Sequence, residues 1–508
     1  MRPALDGFAG IPQETRLLFR NLCVLDEIQV IGLLQTSLHF LDSGINDKTE
    51  YTNSKRLNYH SRVLASLKNK PSYQPLWQQA INTLKRTLVT YRLALFNFLF
   101  SDSHQVKIFL FNTRYFERNI WQALFSKTLP ITDFNLVTSQ CYRVCSTPRN
   151  ILQRVGLSFF KWRFSTAYPI LDTQDVDVFI TQTPYPARVH ASTTLVVRYH
   201  DALPILMPHM FKSAKHQLAH FYNLTCNVQS GAYFVCVSET TRQDLLQLFP
   251  EVSERSVTIH NTVSHHFYEE DSCADRVAHI VRFRINQQSS ETHPQFNNVN
   301  EKNSFYKKHL ADYPLNYLLM VSTIEPRKNH CRLIAAWEII HTQTDPSLKV
   351  IVVGNLGWDT EPMMNAMRVL IDQGAVFLLN NVPADELRVL YRHAKATICP
   401  SLAEGFDFSG IEAMCSGGIV IASDIPVHKE IYADAAEYFC PDSTTSLVNA
   451  LKRVLYDASA IKKQITLREQ GKEVSRHYLP NTILPKWMKF LKNIQANRTP
   501  RNNPFQGN

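Results

Sequence analysis

The sequence predicts an α/β protein made of two Rossmann-like, doubly wound domains. Three observations lead there. The chain has 508 residues, more than one ordinary core holds. Short apolar runs alternate with helix-period segments in both halves, as parallel strands alternate with crossover helices. Residues 268–313 break the pattern with Gln287-Gln288-Ser289-Ser290, Asn297-Asn298 and Asn300, several charges and few aliphatics. That composition reads as a flexible linker or insertion. It divides the chain into a first domain (1–267), the linker (268–313), a second domain (314–480) and a C-terminal helix with its tail (481–508).

Taken in order, Thr15–Leu25 reads as a helix with an apolar stripe at Leu17, Leu18, Leu22 and Leu25. Residues 43–75 are polar without a clear period and read as a loop or insertion. Val106–Phe111, Val176–Thr181, Leu195–Tyr199 and Phe234–Ser238 are strand candidates, the last running into a helix opened by Ser238 and Glu239. In the second domain the expected strands are Leu318–Ser322, Lys349–Val353 ending at Gly354, Ala375–Leu379, Ala396–Cys399 and Gly418–Ala422. Helices are expected from about Asn329 to Ile340, over Ala384–His393, from Ser409, and late in the chain at Ile483–Ile494.

Composition narrows the function classes. A hydrophobic fraction of 44% fits a globular chain rather than a disordered adaptor. Net charge is +10, and nearly all of the excess falls in residues 1–263. A basic half suits an anionic membrane face or a phosphorylated acceptor. Nucleic acid is disfavoured, because no zinc finger, RNA-binding sheet signature or basic zipper is present. The ten cysteines show no pairing pattern, which points to free thiols in a reducing compartment. Met1–Gly10 lacks a basic region followed by an apolar run, so no secretory signal is read. No apolar run reaches the length of a spanning helix. Tyr91–Phe100 comes closest and is interrupted by Arg92 and Asn97. It reads as a buried helix, with an interfacial helix as the alternative. The expected location is cytoplasmic, peripheral on the inner membrane face.

Four motifs carry chemistry. Ser401 to Met414 follows a strand and opens a helix. Gly405 and Gly410 allow close backbone approach to a ligand, and the helix start suits a phosphate. Glu404 and Glu412 flank it; Glu412, expected in the first helical turn, can accept two ribose hydroxyls, and Glu404 can reach sugar hydroxyls. Either glutamate alone would pass for a solvated or helix-capping residue; the pair with its glycines reads as a site. Glu325-Pro326-Arg327-Lys328-Asn329 follows the second domain's first strand, at the edge where α/β sheets bind ligands. Arg327 and Lys328 could offset the charge of a departing diphosphate in place of a metal. Tyr199-His200-Asp201-Ala202-Leu203-Pro204 ends a first-domain strand; His200 and Asp201 face the cleft or form a structural pair. Gly7-Phe8-Ala9-Gly10-Ile11 before a helix could hold an acceptor or phosphate, or be a simple turn. No metal site is expected: Asp175-Val176-Asp177 reads as strand entry, and the adjacent His265-His266 are ill placed to share one ion.

These residues resemble the family 4 glycosyltransferases, which have the GT-B fold. The resemblance rests on the paired glutamates Glu404 and Glu412 and on Val321-Ser322-Thr323-Ile324-Glu325-Pro326-Arg327-Lys328-Asn329. It also rests on Asn381-Val382 followed by Asp385-Glu386-Leu387. His200-Asp201, Val237-Ser238 and Ile259-His260-Asn261 match less specifically. The resemblance implies two domains facing across a cleft, with the late helix crossing back to the first. It implies a retaining, metal-independent enzyme without cofactor that takes a nucleotide sugar to a glycan or lipid-linked acceptor. Arg327 and Lys328 would hold the diphosphate and Glu412 the ribose. Glu404 and the backbone of Gly405, Phe406 and Asp407 would hold the sugar. Val382, with Asn381 and Gly354, would border the nucleotide. His200 would lie near the anomeric centre, with Gly10 and Asp201 on the acceptor side. The turn and the His-Asp step are most similar to bacterial mannosyl- and rhamnosyl-type transferases of polysaccharide assembly, which suggests GDP-mannose.

Three positions depart from the family. Asp407 replaces a glycine, where a carboxylate beside the sugar would alter hydroxyl preference. Ser409 stands where proline is common. The family's opening strand has no counterpart before the Gly7–Gly10 loop, so either the start lies upstream or the first sheet lacks a strand. Two other readings compete: a nucleotide-sugar epimerase on the same plan, and a non-catalytic sugar-nucleotide-binding protein.

Overall fold

The computed structural model describes residues 1–5, 7, 10–45, 52–68, 76–99, 105–158, 167–211, 214–287, 293–311 and 314–496. The second domain is a six-stranded parallel sheet. Its spatial order is Val376–Leu379, Lys349–Val353, Tyr317–Val321, Ala396–Cys399, Val420–Ser423, Ala436–Phe439. The strands are nearly continuous aliphatic runs because helices cover both faces. Leu319, Ile351 and Val353 point into one core, and Leu318, Met320, Val350 and Val352 into the other, as a strand's twofold alternation requires. The order reverses between Tyr317–Val321 and Ala396–Cys399, which makes the crevice beyond their C-terminal ends the sheet's binding edge. Ala436–Phe439 was not expected from sequence; it is an edge strand whose exposed neighbours hide its period.

The first domain differs from a single doubly wound sheet. Val178–Thr181, Thr194–Tyr199, Tyr233–Cys236 and Ser256–Thr258 form a four-stranded parallel sheet. Ile31–Leu34, Cys141–Val144 and Phe109–Phe111 form a separate three-stranded sheet with one antiparallel pair. Among the described residues, the edge of Ile31–Leu34 and the edge of Val178–Thr181 carry no strand partner toward one another. A cavity of about 440 Å³ lies between them, roofed by Leu18 and Leu22 and by Met488, Leu491 and Ile494. Asp175 ion-pairs with Arg143 at the entry to the Val178 strand, so Asp175-Val176-Asp177 is built as a strand entry.

Two expectations fail here. Residues 43–75, read as a loop, contain the helix Asn53–Lys68, whose Val63 and Leu64 reach the core. Its stripe is too short to stand out among polar neighbours. The apolar stretch 91–100 belongs to a longer helix, Leu76–Leu99, whose apolar side chains are largely exposed rather than buried; Phe100 lies outside the described residues.

Of residues 268–313, read as a flexible linker or insertion, the described ones are largely helical. Arg276–Gln287 and Val299–His309 are helices that set Val277, Val281, Ile285 and Phe305 against the second domain's core. Asn298 caps the second of them by accepting from Glu301 N–H; the asparagines that looked like linker are helix boundaries. Residues 288–292 lie outside the described residues. The helix Pro480–Ala496 returns to the first domain, where Ile483, Trp487 and Ile494 pack with Leu18, Leu22, Val196, Val235 and Ile259.

Candidate active site

Pro326 fixes the backbone of the turn that leaves the Tyr317–Val321 strand, and Asn329 follows at φ 59°, a left-handed conformation that asparagine tolerates. Asn329 Nδ2 donates to the carbonyls of Pro400 (3.1 Å) and Pro441 (3.0 Å). Leu402 N–H donates to the Arg327 carbonyl at 2.9 Å. The Pro400 and Leu402 bonds bind the turn after the first strand to the loop after Ala396–Cys399, and the Pro441 bond ties it to the loop after Ala436–Phe439, so residues 76 positions apart face one another across the switch point.

At their junction sits a charge cluster. Arg327 Nη1 donates to Glu404 Oε2 and to the Ala403 carbonyl, both at 2.6 Å, and Arg327 Nη2 donates to Glu325 Oε1 at 2.7 Å. Lys328 Nζ donates to the other oxygen of Glu404. Glu404 is thus clamped by the two cations expected to hold a diphosphate. Burial alone would raise its pKa, but Arg327 and Lys328 outweigh burial and hold it below the usual carboxylate range. Glu325, more weakly compensated, is pushed up by burial.

Gly405 closes the site from the other side. A Cβ there would stand 1.8 Å from the His200 carbonyl oxygen, so only glycine lets the loop touch the first domain. His200 Nε2 lies 3.0 Å from Gln182 Oε1. Burial, with the nearby Arg198 charge, lowers its pKa to about 3, so the ring is neutral at ordinary pH. Asp201 accepts from Leu203 N–H at 3.2 Å and is raised by burial, with Arg327 pulling the other way. The His-Asp step therefore reaches the cluster from the first domain.

Glu412 is in the second turn of the Phe408–Cys415 helix rather than the first. Its carboxylate accepts from Tyr391 Oη at 3.1 Å and from Gln13 Nε2 at 2.6 Å. Burial pushes its pKa up to about 7 despite these two donors. Gln13 belongs to the helix Gly10–Cys23, and Gly10 itself faces the Phe408 ring. The start of the first domain thus meets the glutamate helix directly; Phe8 and Ala9 lie outside the described residues.

Other residues take unexpected places. The Asp407 carboxylate caps the Phe408–Cys415 helix, accepting from Ser409 N–H (3.1 Å) and Oγ (2.7 Å), and lies 3.4 Å from His428 Nε2. Burial opposes its ionisation, but His428 and Ser409 hold its pKa far below the usual range. In this structure it is engaged at the helix start. Ser409, at the family's proline position, supplies that cap's donors. The Val382 side chain is buried in the core, while Asn381 at φ 52° has its carbonyl held by Arg284 Nη1 at 3.2 Å. Gly354 is required by backbone contact, since a Cβ would fall 1.8 Å from the Ser322 carbonyl oxygen. Phe406 stacks edge-on against Phe408 and Tyr478.

Sequence reasoning missed three partners. Gln13 reaches Glu412 from 399 residues away. Arg284, in the segment read as linker, pairs with both oxygens of Glu386 at 2.6 Å and steadies the Asn381 turn. Glu430 of the second domain accepts from Glu239 N–H (2.6 Å), Thr240 N–H (2.8 Å) and His260 Nε2 (2.8 Å). It thereby caps a first-domain helix and fastens the two domains beside the site. Only the Ile259-His260-Asn261 stretch hinted at this. Among the described residues no group of three or more His, Cys, Asp or Glu is arranged to hold a metal.

Residues 301–474 match the family model for glycosyl transferases group 1, and residues 90–267 match that for glycosyltransferase family 4. The O-antigen chain mannosyltransferase RfbU of Salmonella typhimurium is 33% identical over 33% of this chain and 45% of its own. The serotype-specific mannosyltransferase WbdA of Escherichia coli is 32% identical over 28% of this chain and 18% of its own. The chain spans less than half the length of these curated relatives. Among solved structures, Anabaena HepE in complex with UDP and glucose aligns with 72% of this chain and 89% of its own at 16% identity, with a TM-score of 0.48.

Proposed function

We propose that this chain, which belongs to the group 1 and family 4 glycosyltransferases with the GT-B fold, moves mannose from GDP-mannose to a glycan or lipid-linked acceptor in polysaccharide assembly. The observation that carries the reading is the convergence of Arg327, Lys328 and Glu404 at the sheet's switch point, opposite His200. The relatives' mannosyltransferase names support the sugar.

In this reading the donor's diphosphate displaces Glu404 from Arg327 and Lys328. The freed carboxylate then accepts hydroxyls of the sugar. As the bond between the anomeric carbon and the phosphate oxygen breaks, the two cations offset the charge that grows on the diphosphate. The acceptor oxygen bonds to the anomeric carbon on the face the phosphate leaves, so configuration is retained. Its proton passes to the leaving phosphate. His200, neutral, offers a hydrogen bond rather than a charge. Glu412, once ionised, accepts the ribose hydroxyls in place of Gln13 and Tyr391. Two fixed cations do the electrostatic work otherwise given to a divalent ion, so turnover is expected to be insensitive to chelators.

The test incubates the protein with labelled GDP-mannose, UDP-glucose or UDP-N-acetylglucosamine, with and without EDTA. The expected result is nucleotide release from GDP-mannose in both conditions, lost in Glu404→Ala and Lys328→Ala. Interconversion of sugar nucleotides without release would replace this reading by the epimerase. Binding without either reaction would replace it by the non-catalytic protein.

A further inference from the structure

The helix Leu76–Leu99 stands on the first domain with one face against its own protein. Ala94 packs with Ile151 and Val155, beside Val89 and Leu93, and Asn97 donates to the Ala167 carbonyl at 2.5 Å. The opposite face carries Trp77, Ile81, Leu84, Leu88, Tyr91 and Leu95, each between 51% and 66% exposed. Their spacing of four, three, four, three and four residues keeps them in one stripe. Over 18 residues at 1.5 Å each it is about 27 Å long. Monomeric soluble proteins seldom leave an apolar patch of this continuity in water.

The charge on the stripe's own helix has one sign. Residues 51–100 contain eight Lys and Arg and neither Asp nor Glu. Lys85 and Arg92 are exposed on the stripe's own helix. A second copy laid stripe to stripe would bring two such collars together and repel. An anionic bilayer surface offers the complementary charge, an apolar layer for leucines, and an interfacial zone in which Trp and Tyr rings settle.

We propose that the Leu76–Leu99 helix is a docking surface for an anionic lipid bilayer, lying in the plane of the interface with Leu84 and Leu88 at its centre. Among the described residues no helix is long and apolar enough to cross a membrane; the proposed contact is by this face. The surface is remote in sequence from every residue of the candidate active site, and it stands whatever sugar that site transfers.

Flotation of the full chain with vesicles tests it. The protein is expected to float with phosphatidylglycerol–phosphatidylcholine vesicles at low salt, to float less at high salt, and not to float with phosphatidylcholine alone. Leu84→Glu with Leu88→Glu is expected to lower the partition coefficient more than about tenfold. Circular dichroism and nucleotide release from soluble donor should stay unchanged, since both side chains already face water. Lys85→Glu with Arg92→Glu is expected to weaken flotation and flatten its salt dependence. Absence of flotation at low salt, or flotation indifferent to the leucine substitutions, overturns the proposal. So does light scattering that shows a dimer which the leucine substitutions split, because the stripe's occupant would then be a second copy.

Discussion

The two domains are built from the same elements and held together differently. In the second, six strands share one ladder, and the turn at 325–329 and the loop at 400–407 are stitched by backbone and Asn329 bonds. In the first, the described strands fall into three sheets, Gln105–Val106 with Ile170–Leu171 being the smallest, and a buried ion pair ties the helix Gly10–Cys23 to the four-stranded one. Arg198 donates to Glu14 at 3.0 Å, to the Ile259 carbonyl at 2.5 Å and to Asn261 at 2.6 Å. The lesson is a division of labour: one domain fixes charges rigidly for chemistry, while the other spends charges on its own integrity and supplies surfaces.

The largest effect should come from that buried pair. Arg198→Met leaves Glu14 and two carbonyl oxygens without their donor, and is expected to cost ~3–5 kcal/mol in urea unfolding. Adding Glu14→Leu should recover part of it. A second-domain spectroscopic transition that fell by as much would break the comparison. Next, Lys328→Ala should lower nucleotide release ~10²–10³-fold with the unfolding midpoint nearly unchanged. Gly405→Ala should cost about 100-fold in release by holding the domains apart, with donor still binding to the second domain in calorimetry. A variant with normal turnover would show that the His200–Gly405 contact is not needed.

Proton linkage sharpens the comparison further. In the proposed mechanism the Glu412 carboxyl, pushed to about 7, must ionise to accept ribose hydroxyls. Donor affinity is therefore expected to rise about tenfold in total between pH ~6 and ~8, levelling off above that, and to be flat in Glu412→Gln. The stability sign is opposite. A carboxyl whose folded pKa is raised favours the fold fully below its unfolded value of about 4.3, and that contribution is lost as pH climbs through about 7. The smallest effect concerns Asp407. Asp407→Ala should cost about 1 kcal/mol as a lost helix cap and change the GDP-mannose to UDP-glucose preference less than about twofold. A larger swing in preference would mean that the carboxylate reaches the sugar after all.

Legibility followed the same division. The second domain could be read, its edge strand Ala436–Phe439 apart, because each other strand is one aliphatic run and each motif is local: Glu325 to Asn329 and Glu404 to Glu412 are single stretches. Their side-chain partners were another matter. That Glu404 would be held by both cations, and that Asp407 would turn to Ser409 and His428, depends on rotamers and packing that spacing does not encode. Between the domains, Gln13 and Glu430 act across gaps of 399 and 191 residues, beyond the reach of any local pattern. Arg284 was hidden because polar residues at helix ends resemble a linker when the intervening Val277, Val281 and Ile285 are not weighed as a stripe.

The open strand edges on either side of the first-domain cavity have a consequence for how the protein is made. A bare edge is a template for pairing with another chain. Here both are roofed by helices, one of them formed by residues 480–496. The strand Val178–Thr181 leaves the ribosome about 300 residues before that roof, which at 5–20 residues per second is on the order of tens of seconds. For that interval the nascent chain is at its most adhesive, and the last helix acts as a late seal whose removal would be felt as aggregation during synthesis.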